Sequence, residues 1–298
     1  MYSPRSSTIS WFRPISREEW CERRPEGRQS QRCDKVANND TIGKTFSVAL
    51  GVCLVCSVFV SVAAVSLRPT QEVNKLLDKK KNILVAAGLL ETGKAASKSI
   101  IDELFEQIRP KVVDLATGEF VEGVDPEEHD QRKAAKDPAQ SSVVPAEEDI
   151  ASIKRKAKQA SIYLVEKAGK VEKIILPIHG LGLWSTLYGF IALDAGDLST
   201  IEGLVFYEHA ETPGLGGEVD NPAWKALWNG KQAFDEEGNV RIEVIKGMVN
   251  TGRPEAKYQV DGISGATLTV RGVDAMVKYW LGKGGFGPFL AKLKTQGV

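Results

Sequence analysis

Ile162-Tyr163-Leu164-Val165 and Ile174-Ile175-Leu176-Pro177-Ile178, joined through a turn at Lys167-Ala168-Gly169-Lys170, are the stretch from which the fold of this chain is read. Short β-branched and aliphatic runs on either side of a glycine-containing turn predict a β-hairpin. Outward from it, strands are expected at 187–193, 200–209 and 240–245, with a short helix at 222–228. Val270, Val273, Val277 and Leu281 recur at helical spacing and place a terminal helix after Thr267. Upstream, Val73, Leu76, Leu77, Ile83 and Leu84 predict one helix. Ile100, Ile101, Leu104, Phe105 and Ile108 predict a second beyond Glu91-Thr92-Gly93. Residues 123–149, acidic and broken by Pro126, Pro138 and Pro145, suit a solvated excursion in which His129 is a surface residue. Strands interrupted by a few helices, rather than alternating with them, argue an α+β fold.

The chain has 298 residues, 42% of them hydrophobic, which suffices for a substantial core. Lys+Arg and Asp+Glu both number 39, so charge gives no support for a nucleic-acid partner. Cys21, Cys33, Cys53 and Cys56 all lie in the first fifth of the chain, so the remainder cannot hold a cysteine-ligated iron–sulfur or zinc site. Residues 46–67 carry no charge and are bracketed by Lys44 and Arg68. An apolar run of about 20 residues crosses a bilayer as a helix, and its length favours a retained anchor over a signal peptide. Cys53 and Cys56, one turn apart inside it, read as small apolar packing residues rather than ligands. The expected organisation is an N-terminal segment at 1–45, a transmembrane helix at 46–67 and a soluble domain at 68–298. Residues 1–35, arginine-rich and without periodicity, resemble a translated upstream region, so initiation is expected at Val36.

Asp261-Gly262-Ile263-Ser264-Gly265-Ala266-Thr267-Leu268-Thr269 sits where the terminal helical pattern begins. Ser264-Gly265-Ala266-Thr267 matches the Ser/Thr-Gly-Ala-Thr signature of proteins that carry FMN through a phosphoester on the threonine hydroxyl. The chemistry suits the residues. A hydroxyl that must enter a separate transferase needs small neighbours and a freely turning backbone, which Gly265 and Ala266 supply. A helix N-terminus then offers free N–H groups to the phosphodiester. The plain alternative is a small-residue turn that caps a helix. Thr269 is the alternative attachment site in the run.

With these residues the chain after Val36 resembles a covalent FMN-binding family, the C subunits of Na⁺-translocating NADH:quinone oxidoreductases. The resemblance implies covalent FMN on Thr267, attached by a flavin transferase, and a single-pass protein of the bacterial inner membrane with its flavin domain on the periplasmic side. A count of flanking Lys and Arg points the other way, which is weak guidance for a long translocated domain. The resemblance also implies partner subunits that bring electrons from NADH and pass them to ubiquinone while Na⁺ moves outward. It places Trp184, Glu211, Thr212, Leu215 and Gly216 near the isoalloxazine ring, in two stretches, His179-Gly180-Leu181-Gly182-Leu183-Trp184-Ser185 and Glu211-Thr212-Pro213-Gly214-Leu215-Gly216-Gly217. Their glycines permit close backbone approach, and Trp184 and Leu215 offer apolar faces. Gly180-Leu181-Gly182 is a poor dinucleotide fingerprint, because it precedes a strand and Ser185 stands where a third glycine belongs. His179 and His209 flank these loops and read as structural. Two alternatives remain at this stage. One is the flavin subunit of an Rnf-type, ferredoxin-linked complex, against which stand Trp184-Ser185-Thr186-Leu187-Tyr188 and the two helices after the anchor. The other is a membrane-anchored binding protein without redox chemistry.

Overall fold

The computed structural model describes residues 41–91 and 96–296. The Val36 start, residues 1–35 with Cys21 and Cys33, and most of the Glu91-Thr92-Gly93 break lie outside them. The chain divides into two compact units after Arg68. Helix α1, Ile42–Ala86, runs through the division and contains Pro69, so the helix expected around residues 73–84 is the continuation of the apolar one and not a separate element.

In the first unit α1 has a mean hydropathy of 2.7 over its most apolar window, with none of that window buried. A helix that is apolar all round and uncovered by protein is at home in lipid, where each backbone polar group must be bonded within the helix. Three of its serines follow the same rule. The Ser47, Ser57 and Ser66 hydroxyls donate back to the carbonyls of Gly43, Leu54 and Ala63 at 2.8, 2.8 and 3.1 Å. Cys53 and Cys56 are free thiols exposed on this helix.

The second unit is built on five strands, β1 (Ile108–Asp114), β4 (Gln159–Lys167), β5 (Lys170–Leu181), β6 (Thr186–Asp194) and β7 (Ile201–Glu208). They form one antiparallel sheet in the order β1-β4-β5-β6-β7. The hairpin that opened the reading is β4–β5, closed by Ala168 and Gly169 at φ 51° and 76°. Two successive positive φ values give the turn whose twist matches its strands. Strand β1 is an addition. Ile108, expected at the end of a helix, begins it, and Pro110 is tolerated within it because β1 is an edge strand. The helix before it, α2, spans Lys98–Phe105 and is N-capped by Ser97.

The acidic excursion also proves more ordered than its composition suggests. It holds helix α3 (Gln131–Lys136), capped by Asp130, and strand β2 (Ser141–Val143), which pairs with β3 (Arg155–Ala157). Ala134, Ser141 and Val144 are buried there. Helix α4 (Pro222–Ala226) stands where expected, whereas the strand expected over 240–245 contracts to β8 (Glu243–Val244), paired in parallel with β9 (Gln259–Val260). Helices α5 (Thr267–Leu281) and α6 (Gly287–Gln296) complete the chain.

Alternation along the strands divides the core. Ile162, Leu164, Ile174, Leu176, Ile178, Ile191 and Leu204 face the C-terminal helices in one cluster. Tyr163, Val165, Ile175, Phe190, Ala192 and Val205 face the end of α1 and α2 in another. The period of two sends successive residues to opposite faces. Val270, Val273, Val277 and Leu281 form the inward stripe of α5, all buried. At Gly272 the helix lies so close to β5 that a Cβ would collide with the Leu181 carbonyl. That contact brings the first turn of α5 beside the loop that leaves β5.

Candidate functional site

The run before α5 is pinned at its start and free at its end. The Asp261 carbonyl accepts from the Trp224 indole N–H at 2.8 Å and its carboxylate from the Val249 amide at 2.7 Å. Ser264 and Gly265 then turn the chain, with Gly265 at φ 76°, a left-handed conformation that a side chain would strain. Ala266 occupies the N-cap position without a side-chain hydrogen bond, and Thr267 is the first helical residue. The first helical bond is from the Val270 amide to the Ala266 carbonyl at 3.0 Å. The amides of Thr267, Leu268 and Thr269 therefore precede the helical ladder, at a terminus whose sequence supplies no capping side chain.

The two threonines differ sharply. Thr267 is exposed, whereas Thr269 retains 1% exposure and its hydroxyl donates to Glu211 at 2.7 Å. Of the two threonine hydroxyls, that of Thr267 is the one open to an external enzyme.

Glu211, in the segment after β7, is 5% exposed, and its carboxylate gathers three pieces of chain. Besides Thr269, it accepts from the amides of Leu183, Trp184 and Ser185 at 3.3, 3.0 and 3.1 Å and from the Ser185 hydroxyl at 3.2 Å. Burial pushes its pKa up, but the hydrogen bonds from Thr269 and the loop amides outweigh that and hold it below the ordinary carboxylate value. Gly182 and Gly216 make room for it. A Cβ on Gly182 would lie 2.7 Å from Glu211 Oε1, and one on Gly216 would lie 2.8 Å from Oε2 and strike the Thr269 hydroxyl. Glu211 is thus a clamp beneath the site more than a face presented to a ring. Of the stretch expected as one loop, His179, Gly180 and Leu181 end strand β5, so the loop itself is residues 182–185.

Leu183, Trp184, Glu211, Thr212, Leu215, Gly216, Gly265, Ala266 and Thr267 line one cavity of about 230 Å³ together with Leu268 and Thr269. Of the residues singled out from the sequence only Ser264 is not part of that lining. Leu183 and Leu268, which the sequence did not single out, belong to it. Trp184 is 71% exposed and Leu215 47%, so their apolar faces are uncovered. Ligand pockets that enclose a cofactor measure roughly 300–1,000 Å³. This smaller hollow suits one face of a flat aromatic system while the rest stays open to solvent. The donor set fits FMN: a hydroxyl and free helix-terminal amides for the phosphate, apolar side chains for the ring.

Both nearby histidines serve the scaffold. His179 lies against Tyr188 and Trp280, ring centroids 5.6 and 4.8 Å away, and its carbonyl accepts from the Trp280 indole at 2.6 Å. Burial, with the Arg132 charge, lowers its pKa to about 4. His209 Nδ1 accepts from the Glu211 amide at 3.2 Å, which leaves Nε2 to donate to Asp220 at 2.7 Å.

Residues 182–282 match the family model described as FMN-binding domain. The C subunit of Na(+)-translocating NADH-quinone reductase from Pseudomonas aeruginosa is 54% identical over 260 residues, 87% of this chain and 98% of the relative. Its counterpart from Vibrio vulnificus is 49% identical over 264 residues, 88% of this chain and 100% of the relative. Among solved structures, NqrC of Shewanella oneidensis superposes with a TM-score of 0.67 at 36% identity, over 75% of this chain and 100% of that one. The same reductase's C subunit from Parabacteroides distasonis does so with a TM-score of 0.57 at 31% identity, over 75% and 96%.

Proposed function

This chain belongs to the family of the C subunits of Na⁺-translocating NADH-quinone reductases, and from that premise we propose that it is a one-span electron carrier with FMN esterified to Thr267. The carrying observation is the contrast at the start of α5: Thr267 open beside apolar Trp184 and Leu215, Thr269 buried on Glu211. In the attachment step a transferase joins the Thr267 oxygen to the FMN phosphorus of FAD. The pyrophosphate bond breaks, AMP leaves and the hydroxyl proton is released. The first-turn amides would hold the phosphodiester and Trp184 and Leu215 would orient the ring, while Glu211 holds the loop that carries Trp184.

Bound flavin supplies reversible one- and two-electron chemistry. Its relatives are subunits of a reductase, and as one of that family it works with the other subunits of its complex. The apolar part of α1 anchors it in the bacterial inner membrane, with the flavin domain on the periplasmic side and residues 1–45 on the other. The pair of helices that spoke against an Rnf-type assignment is a single α1 followed by α2. The weight therefore rests on relatives that match over nearly their whole length.

Thr267→Ala should abolish covalent flavin and leave stability within about 0.5 kcal/mol, because an exposed hydroxyl contributes little to the fold. Protein coexpressed with a flavin transferase and denatured before electrophoresis reads this directly. Fluorescence surviving Thr267→Ala, or lost in Thr269→Ala with the fold intact, would place the bond elsewhere.

A further inference from the structure

Along α5, Thr267, Arg271, Asp274 and Lys278 follow one another at helical spacing, which sets them on one face of the helix, beside the buried stripe of Val270, Val273 and Val277. Towards the C-terminal end of that face the charges are matched. Lys278 donates to the Asp274 carboxylate, one turn nearer the N-terminus, at 2.9 Å, and the other oxygen of Asp274 accepts from the Val244 amide at 2.9 Å. Towards the N-terminal end the same spacing leaves a cation alone. Arg271 is exposed, and among the described residues it has no hydrogen bond, ion pair or ring contact. One turn before it stands Thr267, in the place that Asp274 holds before Lys278.

Side chains four residues apart on a helix have their Cβ atoms about 5–6 Å apart, and long ones lean towards the N-terminus, so an arginine at 271 covers the turn that carries Thr267. Such a pair is most favourable with the anion first, which is the order of Asp274 and Lys278. Thr267 is neutral until it is esterified, and a phosphodiester on it would bring a negative charge to the position where α5 lacks one. The first turn of α5 contains no acidic residue, and Ala266 at the N-cap bonds none of its amides. Arg271 is not part of the lining of the hollow, so the phosphate and the ring fall to different side chains.

We propose that Arg271 holds the phosphodiester on Thr267, its guanidinium donating to the phosphate oxygens as Lys278 donates to Asp274. This rests on the reading of Thr267 as the attachment site and deepens it: the ester tethers the cofactor at one atom, and the arginine fixes the direction in which the phosphate leaves the helix. Arginine suits that task because its planar fork engages two oxygens of one phosphate, whereas a lysine offers a point charge.

The test uses the full chain, coexpressed with a flavin transferase and kept in a mild non-ionic detergent, with Arg271→Gln and Arg271→Lys beside wild type. Glutamine and lysine are about as good helix formers as arginine, and the position is exposed, so folding is spared. In-gel flavin fluorescence of denatured protein reads attachment, which should be equal in all three. The ³¹P resonance of the phosphodiester should shift in Arg271→Gln and return part of the way in Arg271→Lys. Hydrogen exchange over residues 267–271 should be about two- to fivefold faster in flavin-bearing Arg271→Gln than in flavin-bearing wild type, the range expected of an exposed ion pair, and the difference should vanish in about 1 M salt. The flavin-free forms should exchange alike, which separates a bond to phosphate from any contribution of Arg271 to the helix itself. An unmoved resonance, equal exchange in the flavin-bearing forms, or exchange already faster in flavin-free Arg271→Gln overturns the role of the arginine and leaves attachment at Thr267 standing. Flavin missing from Arg271→Gln, with or without Arg271→Lys, assigns Arg271 to recognition by the transferase and overturns it as the phosphate's partner. Covalent flavin that survives Thr267→Ala overturns the attachment reading and this one with it.

Discussion

The face of the sheet beneath α5 and α6 buries Trp228, Trp280, Phe286 and Phe289 completely, whereas the face beneath α1 and α2 buries a smaller cluster around Phe190 and borders cavities of about 290 and 340 Å³. The first face holds α5, and α5 presents the Thr267 hydroxyl. A site that must hold a cofactor in a fixed pose needs a rigid platform, and dense aromatic packing supplies it. The second face carries no such demand, and it keeps Lys79, Arg132 and Glu127 at its openings.

Trp280→Ala tests that contrast hardest. Removing a wholly buried indole whose N–H is bonded to the His179 carbonyl should cost about 3–5 kcal/mol. Leu77→Ala, at a half-buried position on the open face, should cost much less. Urea unfolding of residues 69–298, which contain the whole sheet and both clusters, gives the comparison. Equal losses would break it.

Acid should act next, through His179 on β5. Its imidazole takes up a proton below about 6.5 when unfolded but only near 4 when folded. Stability should therefore fall as pH drops from about 6.5 to 4, by up to ~3 kcal/mol at the lower end, since a tenfold change in proton affinity is worth about 1.4 kcal/mol. Arg132, stacked on Tyr188 with its Cζ 3.4 Å from the ring centroid, adds to the effect. In His179→Gln the slope over this window should flatten. A slope unchanged from wild type would assign the acid sensitivity to carboxylates.

Glu211→Ala follows, at about 1–3 kcal/mol, because it leaves the Trp184 and Ser185 amides and the Thr269 hydroxyl without their acceptor. Its own carboxylate contributes stability above the ordinary value of 4.5 and loses it as pH falls through the depressed one. Hydrogen exchange at residues 183–185 in flavin-free protein reads the clamp without any cofactor. Exchange no faster than in wild type would mean that the loop is held by other means.

Much of this was legible in the sequence because period and punctuation were unambiguous. The β4–β5 hairpin announced itself through aliphatic runs around Ala168-Gly169, and α5 through Val270, Val273, Val277 and Leu281. What stayed hidden depended on tertiary partners. Strand β1 was missed because Ile108 continues the helical spacing of Ile100, Ile101, Leu104 and Phe105, and only its pairing with β4 marks it as a strand. Strand β2 is ordered by pairing with β3 and not by its composition. Glu211 was singled out for the ring, but its role as a clamp could not be read, because its donors Leu183, Trp184, Ser185 and Thr269 come from segments distant in sequence. Leu183 and Leu268 belonged to the cavity lining with no pattern to mark them. Their neighbours in the signature gave the only available clue.

The smallest effect on stability and the most specific effect on the cofactor should come from Trp184→Ala and Leu215→Ala. Both side chains are largely uncovered, so either change should stay within about 0.5 kcal/mol in unfolding experiments. Neither carries the Thr267 hydroxyl proposed for attachment, so flavin incorporation in the presence of the transferase should match wild type. The ring, however, would lose an apolar neighbour on the hollow they share, and its absorbance maxima and midpoint potential should move while those of a variant on the other face, such as Leu76→Glu, stay in place. Unchanged spectra and potentials in both Trp184→Ala and Leu215→Ala would put the ring outside the hollow. The contrast between a rigid flavin-bearing face and an open one would then lose its functional half.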